Sequence, residues 1–321
     1  MNTLRRSADF LFLALLLGVL IAFFSGMSDH FWSMQTVNTV ANRIPPLALA
    51  AMGMTFVLIA GGIDLSIGSV AALAGAVFGW LVVDRGVSVP VATLAALGAG
   101  ALCGSANGAL VNWMRMPSFI VTLGLLEGAR GLAYLATDSQ TKYLGERLGA
   151  LQATVPGLGL SVAFLLAVAG VLVAHFVITR MVFGRHVIAV GTNEEAARLV
   201  GLSPGKVRMT VFVLSGLVAA AAGLCQVSRL GAADPNAGAG LELSAIAAAV
   251  IGGTSLMGGR GSMLATFVGV LIIATLEAGL AHLGASEPVK RVVTGAVIVC
   301  AVAAEAARSR WMARWLNRSG N

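Results

Sequence analysis

Ionisable and amide side chains set inside long apolar runs are the residues of this chain whose types and spacing bear on chemistry. Glu127 and Arg130 stand three apart within one run, a spacing that puts both on one helix face. They either pair with each other or form a polar surface along which a solute moves. Glu277 lies in another run, with only His282 near it as a partner. Asp64 belongs to Gly61-Gly62-Ile63-Asp64-Leu65-Ser66. The paired glycines permit a sharp break, and the carboxylate then either caps the following helix at its positive dipole end or touches a substrate or gate. Ile251-Gly252-Gly253-Thr254-Ser255-Leu256 is a short echo of that motif, shortly after Glu242; both can be hinge ends of broken helices. Asn107 and Asn112 can hydrogen-bond between helices or meet solute hydroxyls.

None of this amounts to a catalytic centre. His175 and His186 lack metal-ligand spacing to other donors, so no metal site is expected, and no Ser/His/Asp or Cys/His set can be assembled. The fragment from Gly201 to Lys206 has the wrong spacing for a phosphate-binding P-loop and lacks its Ser/Thr. The chain is expected to be no enzyme and to hold no cofactor.

The elements that position these residues follow from composition. Of 321 residues, 58% are hydrophobic and 11% charged, with mean hydropathy +0.90; soluble domains carry about 25% charged residues. Apolar runs lie at about 10–26, 44–61, 64–83, 88–112, 117–137, 158–180, 209–230, 242–257, 262–283 and 290–307, and a crossing needs ~20 residues. The runs at 44–61 and 242–257 are short and can be broken or re-entrant. The first run resembles a signal peptide, but Ser25-Gly26-Met27 offers no clear cleavage site, so it reads as a retained helix. Cys103, Cys225 and Cys300 all fall in apolar stretches and read as small buried groups rather than a disulfide framework.

Charge sets the orientation. With the first end inside and sides alternating, thirteen Lys and Arg fall inside, including Arg115, Arg180, Arg198, Arg208 and the tail from Arg308 to Arg318. Seven fall outside, among them Arg43, Lys142 and Arg229, balanced there by seven acids. The surplus therefore faces the cytoplasm and anionic lipid, and the net +7 is no sign of nucleic-acid binding. The chain reads as all-α: a single polytopic membrane helical bundle over 1–321, with about ten transmembrane helices, both termini cytoplasmic and some helices broken or re-entrant. Rows such as Gly98–Leu102–Ala106 and Gly100–Gly104–Gly108 let helices approach closely.

The largest inside loop, 181–208, contains a short helix. Thr192 or Asn193 caps it, Glu194 and Glu195 fill its first turn, Arg198 lies near its end, and Gly201 stops it. Pro204-Gly205 then turns the chain back to the membrane. Ala196, Ala197, Leu199 and Val200 form an apolar face with nowhere in the cytoplasmic part of this chain to bury. That face lies on lipid or docks into a groove on a cytoplasmic partner.

GTNEEAARLVG at 191–201 resembles the coupling loop of permease subunits of ribose-type monosaccharide ATP-binding-cassette (ABC) importers. GGIDLSIGSVAALAGA at 61–76, PNAGAGLELSAIAAAVIGGTSLMGGRGS at 235–262 and, less sharply, PSFIVTLGLLEGARGLAYL at 117–135 resemble the same family, in the right order. The resemblance implies a pair of permeases, identical or related, in the cytoplasmic (inner) membrane. Each would rest its coupling loop, Gly191, Asn193, Glu194, Glu195, Ala196, Ala197, Arg198 and Gly201, on an ABC ATPase that binds the ATP and Mg. A periplasmic or lipid-tethered binding protein would deliver the sugar. Gly61, Gly62, Asp64, Ser66, Asn107, Asn112, Glu127, Arg130, Glu242 and Glu277 are then candidates for the pathway or its gate. Two positions depart from the family pattern: Glu277, where an amide is common, and Ser244, where relatives read Glu-Leu-Asp. With 6% aromatic residues, the conduit is expected to leave selectivity to the binding protein. An ion-coupled secondary transporter is the alternative.

Overall fold

The computed structural model describes residues 2–28, 31–297, 299, 300 and 303. Its helices are α1 (Asn2–Met27), α2 (Met34–Arg43), α3 (Pro45–Ile59), α4 (Ile67–Gly79), α5 (Val89–Trp113), α6 (Ser118–Thr137), α7 (Val162–Arg180), α8 (Val182–Thr192), α9 (Glu194–Leu199), α10 (Pro204–Leu230), α11 (Leu241–Ile251) and α12 (Met263–His282). A π-helical turn, Trp80–Asp84, extends α4, and 287–297 are helical. The only paired strands among the described residues are β1 (Lys142–Tyr143) and β2 (Ala232–Ala233), antiparallel.

Seven helices are long and apolar enough to cross a membrane, and an eighth crossing is made if α2 and α3 count as one span bent by 47°. The bend sits where Pro45 and Pro46 open α3, since proline cannot continue the hydrogen-bond ladder of a preceding helix. The expected span at 242–257 holds only the eleven residues of α11, about 16 Å of helix against a hydrocarbon layer of ~30 Å. The run at 290–307 and the tail Arg308–Arg318 fall partly or wholly outside the described residues. Cys300 is exposed, not buried, while Cys225 is buried.

α10 is the central post, packed by α5, α3 and α4. Small residues make this possible. A Cβ on Gly100 or Gly104 would overlap the carbonyl of Gly216 or Phe212 on α10, and one on Gly216 would overlap the carbonyl of Gly100. Backbones thus meet directly, which is how apolar helices gain dispersion contact inside lipid. The row Gly98–Leu102–Ala106 is not part of this contact: Gly98 has open space around it and Leu102 is 73% exposed. It lies on the opposite side of α5.

The helices alternate between two ends. One gathers 59–62, 112–118 and 191–208. At the other, Lys142 bridges Asp84 at 2.9 Å, and Ser228 Oγ donates to Leu148 O at 2.7 Å. Replacing Gly104 by alanine forces α5 off α10. Gly104→Ala is expected to cost about 1–3 kcal/mol, seen as a lower thermal midpoint in detergent, while Gly98→Ala leaves the midpoint unchanged or slightly higher. Equal loss in both would show that the two rows are not distinguished by packing.

Candidate functional site

α3 ends where Gly61 takes φ +81°, a conformation that costs glycine little. Gly61 N donates to Leu58 O and Gly62 N to Val57 O, both at 2.9 Å, closing the helix end. The chain then stays non-helical to Ser66, and side chains supply its hydrogen bonds. Ser118 Oγ accepts from Ile63 N and Thr122 Oγ1 from Leu65 N, each at 3.0 Å. Asp64, 2% exposed, is fully engaged. Its Oδ1 accepts from Ser66 N at 3.0 Å and Ser66 Oγ at 2.6 Å, and its Oδ2 from Ser215 Oγ of α10 at 2.7 Å. Asn107 Nδ2 donates to Ser66 Oγ at 3.0 Å, while Asn107 Oδ1 is buried with no partner. The carboxylate therefore closes the turn into α4 and ties it to α10.

The echo motif has the same helix end one register further along. Gly253, at φ +79°, donates to Val250 O at 2.8 Å, and Thr254 N donates to Ala249 O at 2.9 Å. The left-handed residue is the second glycine here and the first in the Gly61-Gly62 motif. The two loops converge on the segment before α9. Gly259 N donates to Ile59 O at 2.9 Å, and a Cβ on Gly191 would overlap that same carbonyl. Three chain segments thus meet backbone to backbone.

α9 leaves this junction. Asn193, not Thr192, is its cap, accepting from Ala196 N at 2.9 Å. Glu194 bridges Arg198 at 2.9 Å and Arg208 of α10 at 2.5 Å. Gly201, at φ +84°, follows the helix. Pro204 and Gly205 are not a turn: they open α10, where a proline lacking N–H is tolerated. Asn112 Nδ2 holds that start by donating to Gly205 O at 2.9 Å. The apolar face divides in two. Ala197 is buried within this chain, seated beside α8 and α10, whereas Leu199 and Val200 are 84% and 77% exposed. A cleft of about 510 Å³ separates α9 from the Gly61-Gly62 loop, with Arg115, Arg198 and Arg208 among its lining.

Other expected partners differ. Arg130 does not pair with Glu127; its Nη1 donates to Pro235 O at 2.6 Å and Ala237 O at 2.8 Å. Two backbone carbonyls outcompete a neighbour on the same helix because the segment 234–240 carrying them is non-helical and needs donors. Glu127 is exposed, beside Gly124, Gly128 and Gly131, which have open space around them. His282 is turned to Thr36 and Phe31 rather than to Glu277. Glu242 Oε1 accepts from Gly240 N at 3.2 Å, and its Oε2 is buried without a partner beside Gly68. Glu195 is exposed in the first turn of α9. Among the described residues no three His, Cys, Asp or Glu side chains gather as a metal site would require.

Residues 36–302 match the family described as branched-chain amino acid transport system / permease component. The chain belongs to this family. It is 38% identical over 288 residues to the ribose import permease protein RbsC of Escherichia coli (strain K12), covering 88% of this chain and 89% of the relative. It is 35% identical over 291 residues to the D-allose transport system permease protein AlsC of the same strain, covering 90% and 89%. It is 32% identical over 299 residues to the fructose import permease protein FrcC of Rhizobium meliloti, covering 88% and 81%. No solved structure matches the chain. With its seven or eight apolar helices, it is a multi-pass protein of the inner membrane.

The residues missed in the sequence are mostly hydroxyls: Ser118, Thr122 and Ser215, together with Arg208. A hydroxyl in an apolar helix is a recognisable signal, and Ser118 and Thr122 are four apart, but nothing local names their partners. Ser215→Ala removes one of the donors to Asp64 and is expected to cost about 1–3 kcal/mol. The measurement is the midpoint of unfolding on titration with denaturing detergent. An unchanged midpoint would mean that the carboxylate does not depend on α10.

Proposed function

We propose that this chain is the membrane-spanning permease subunit of a binding-protein-dependent ABC importer for a monosaccharide: a ribose-like pentose, a hexose or a similar small polyol. The named relatives import ribose, allose and fructose, which supports the substrate class. The carrying observation is α9. Its root is fixed by Ala197, by the Glu194–Arg208 bridge and by the glycine contact at Gly191, while Leu199 and Val200 project uncovered. A rigid stub with an apolar tip is what a groove on a partner grips, and the surplus of Lys and Arg assigns that end to the cytoplasm. A cytoplasmic ABC ATPase hydrolyses ATP there with its own Mg. A periplasmic or lipid-tethered protein delivers the sugar at the opposite end.

A second copy or a related permease completes the conduit. Glu127 supports this. A charged side chain at the centre of a lipid-facing helix costs about 2.5–3.5 kcal/mol, so its exposed face belongs to water or protein. Gly61, Gly62, Asp64, Ser66, Asn107 and Asn112 form the cytoplasmic gate region, and Arg130, Glu242 and Glu277 stand further along the bundle. The whole chain is one transmembrane domain.

The test is purification of the tagged permease with its ATPase. The wild-type chain is expected to retain the ATPase in stoichiometric amount. Leu199→Asp, which alters only the uncovered tip, should lose it while inserting normally and abolish ATP-driven sugar uptake. Sugar uptake that continues without ATP, driven by an ion gradient, would instead establish the secondary-transporter alternative.

A further inference from the structure

Among the non-helical stretches that enter the bundle, 61–66 and 234–240 are both held by α6. Ser118, Thr122, Arg130 and Tyr134 are spaced by four or a multiple of four, the row that forms a ridge along a helix surface. The first two serve Ile63 and Leu65. The second two serve 235–237. Arg130 Nη1 donates to the carbonyls of Pro235 and Ala237, and Tyr134 OH donates to Asn236 Oδ1 at 2.5 Å. Beyond the clamp, Gly238 packs against the backbone of Gly68, and Gly240 N donates to Glu242 at the start of α11.

We propose that Arg130, seconded by Tyr134, is a positioning residue: it fixes 234–240 as an irregular wall inside the bundle and thereby sets where α11 begins. The chemistry is that of unsatisfied carbonyls. Turn hydrogen bonds serve the carbonyls of Asp234, Asn236 and Gly238, and Ser244 N serves that of Gly240, while those of Pro235 and Ala237 take Arg130 instead, where lipid offers no water. A guanidinium can donate to two carbonyls from one nitrogen while keeping its charge among dipoles that favour it. Glu127, left without an ion pair among the described residues, is therefore not the reason an arginine stands in this helix. Broken segments at membrane depth are where transporters place their pathways, so this wall is the part of α10–α11 that a passing solute would meet.

The experiment uses the assembled transporter with Cys103, Cys225 and Cys300 replaced by serine and a reporter introduced by Ala237→Cys. Its rate of reaction with a membrane-impermeant maleimide measures how often the segment opens. Arg130→Met is expected to raise the rate about tenfold, and Arg130→Lys, whose ammonium still donates to carbonyls, to return it to within about threefold of the parent. Equal rates in the parent and Arg130→Met overturn the proposal. If Arg130→Met does not reach the membrane, Tyr134→Phe must raise the rate at least about twofold on its own, and no rise there overturns the proposal equally. In proteoliposomes carrying the ATPase and a ribose-binding protein, Arg130→Met is also expected to consume more ATP per ribose imported, with Arg130→Lys restoring the ratio. That second arm rests on the sugar-import reading. The labelling arm needs neither sugar nor ATP, so failure of the one is distinguishable from failure of the other.

Discussion

Inside a bilayer a peptide group has no water to turn to, so every N–H and C=O must find a partner in the protein. Regular helices meet that demand by themselves, and most of this chain does so. The structure is set by places where it does not, and two of them depend on one helix. Residues 61–66 and 234–240 leave the helical ladder, and each is tolerated because side chains from neighbouring helices replace what the ladder would have given. Ser118, Thr122 and Arg130 on α6 serve backbone groups of the two stretches, and Tyr134 holds the Asn236 side chain between the two clamped carbonyls. One helix is thus committed to both breaks, and Glu127, three residues from Arg130 on the same side of that helix, is left exposed.

The second constraint is steric. Gly191, Gly258 and Gly259 bring the segment before α9 against the end of α3, where no Cβ fits. Packed backbones of this kind yield little under load, because close-packed interiors have low compressibility. The segment before α9 and the end of α3 touch backbone to backbone with no side chain between them. A parallel connection runs through polar contacts: Glu194 to Arg208 on α10, and Ser215 of α10 to Asp64. Both connections end on the same six-residue loop.

What could be read in advance follows from the range of each signal. The long helices were legible because apolarity over ~20 residues is a property of one segment. α9 was legible because caps, first-turn acids and a terminating glycine are local. The partner of Arg130 was not, since spacing on one helix points to Glu127 while the carbonyls it serves lie 105 and 107 residues away in the chain. The same holds for His282, whose proximity to Glu277 in sequence yields to Thr36, 246 residues away. Ala197 was placed on an exposed apolar face because its neighbours α8 and α10 pack beside it only in three dimensions. Gly98 and Gly100 look alike in sequence, and only the fold decides which row meets α10. Pro204 signals a break equally well as a turn or as a first helical residue, and the start of α10 used the second.

The length of α11 carries this further. Eleven residues cannot cross hydrocarbon, yet the hydrophobic run that contains it looks like a span because apolar residues continue on into the loop that follows it. The chain reaches α11 from β2, which pairs with β1, through the turns of 234–240, so a non-helical segment and a short helix stand where a full helix would otherwise run. Leaving the helical ladder gives the carbonyls of Pro235 and Ala237 over to a side-chain donor, and an arginine within a lipid-length helix supplies it. The cation, the non-helical wall and the short helix are one structural solution read at three places.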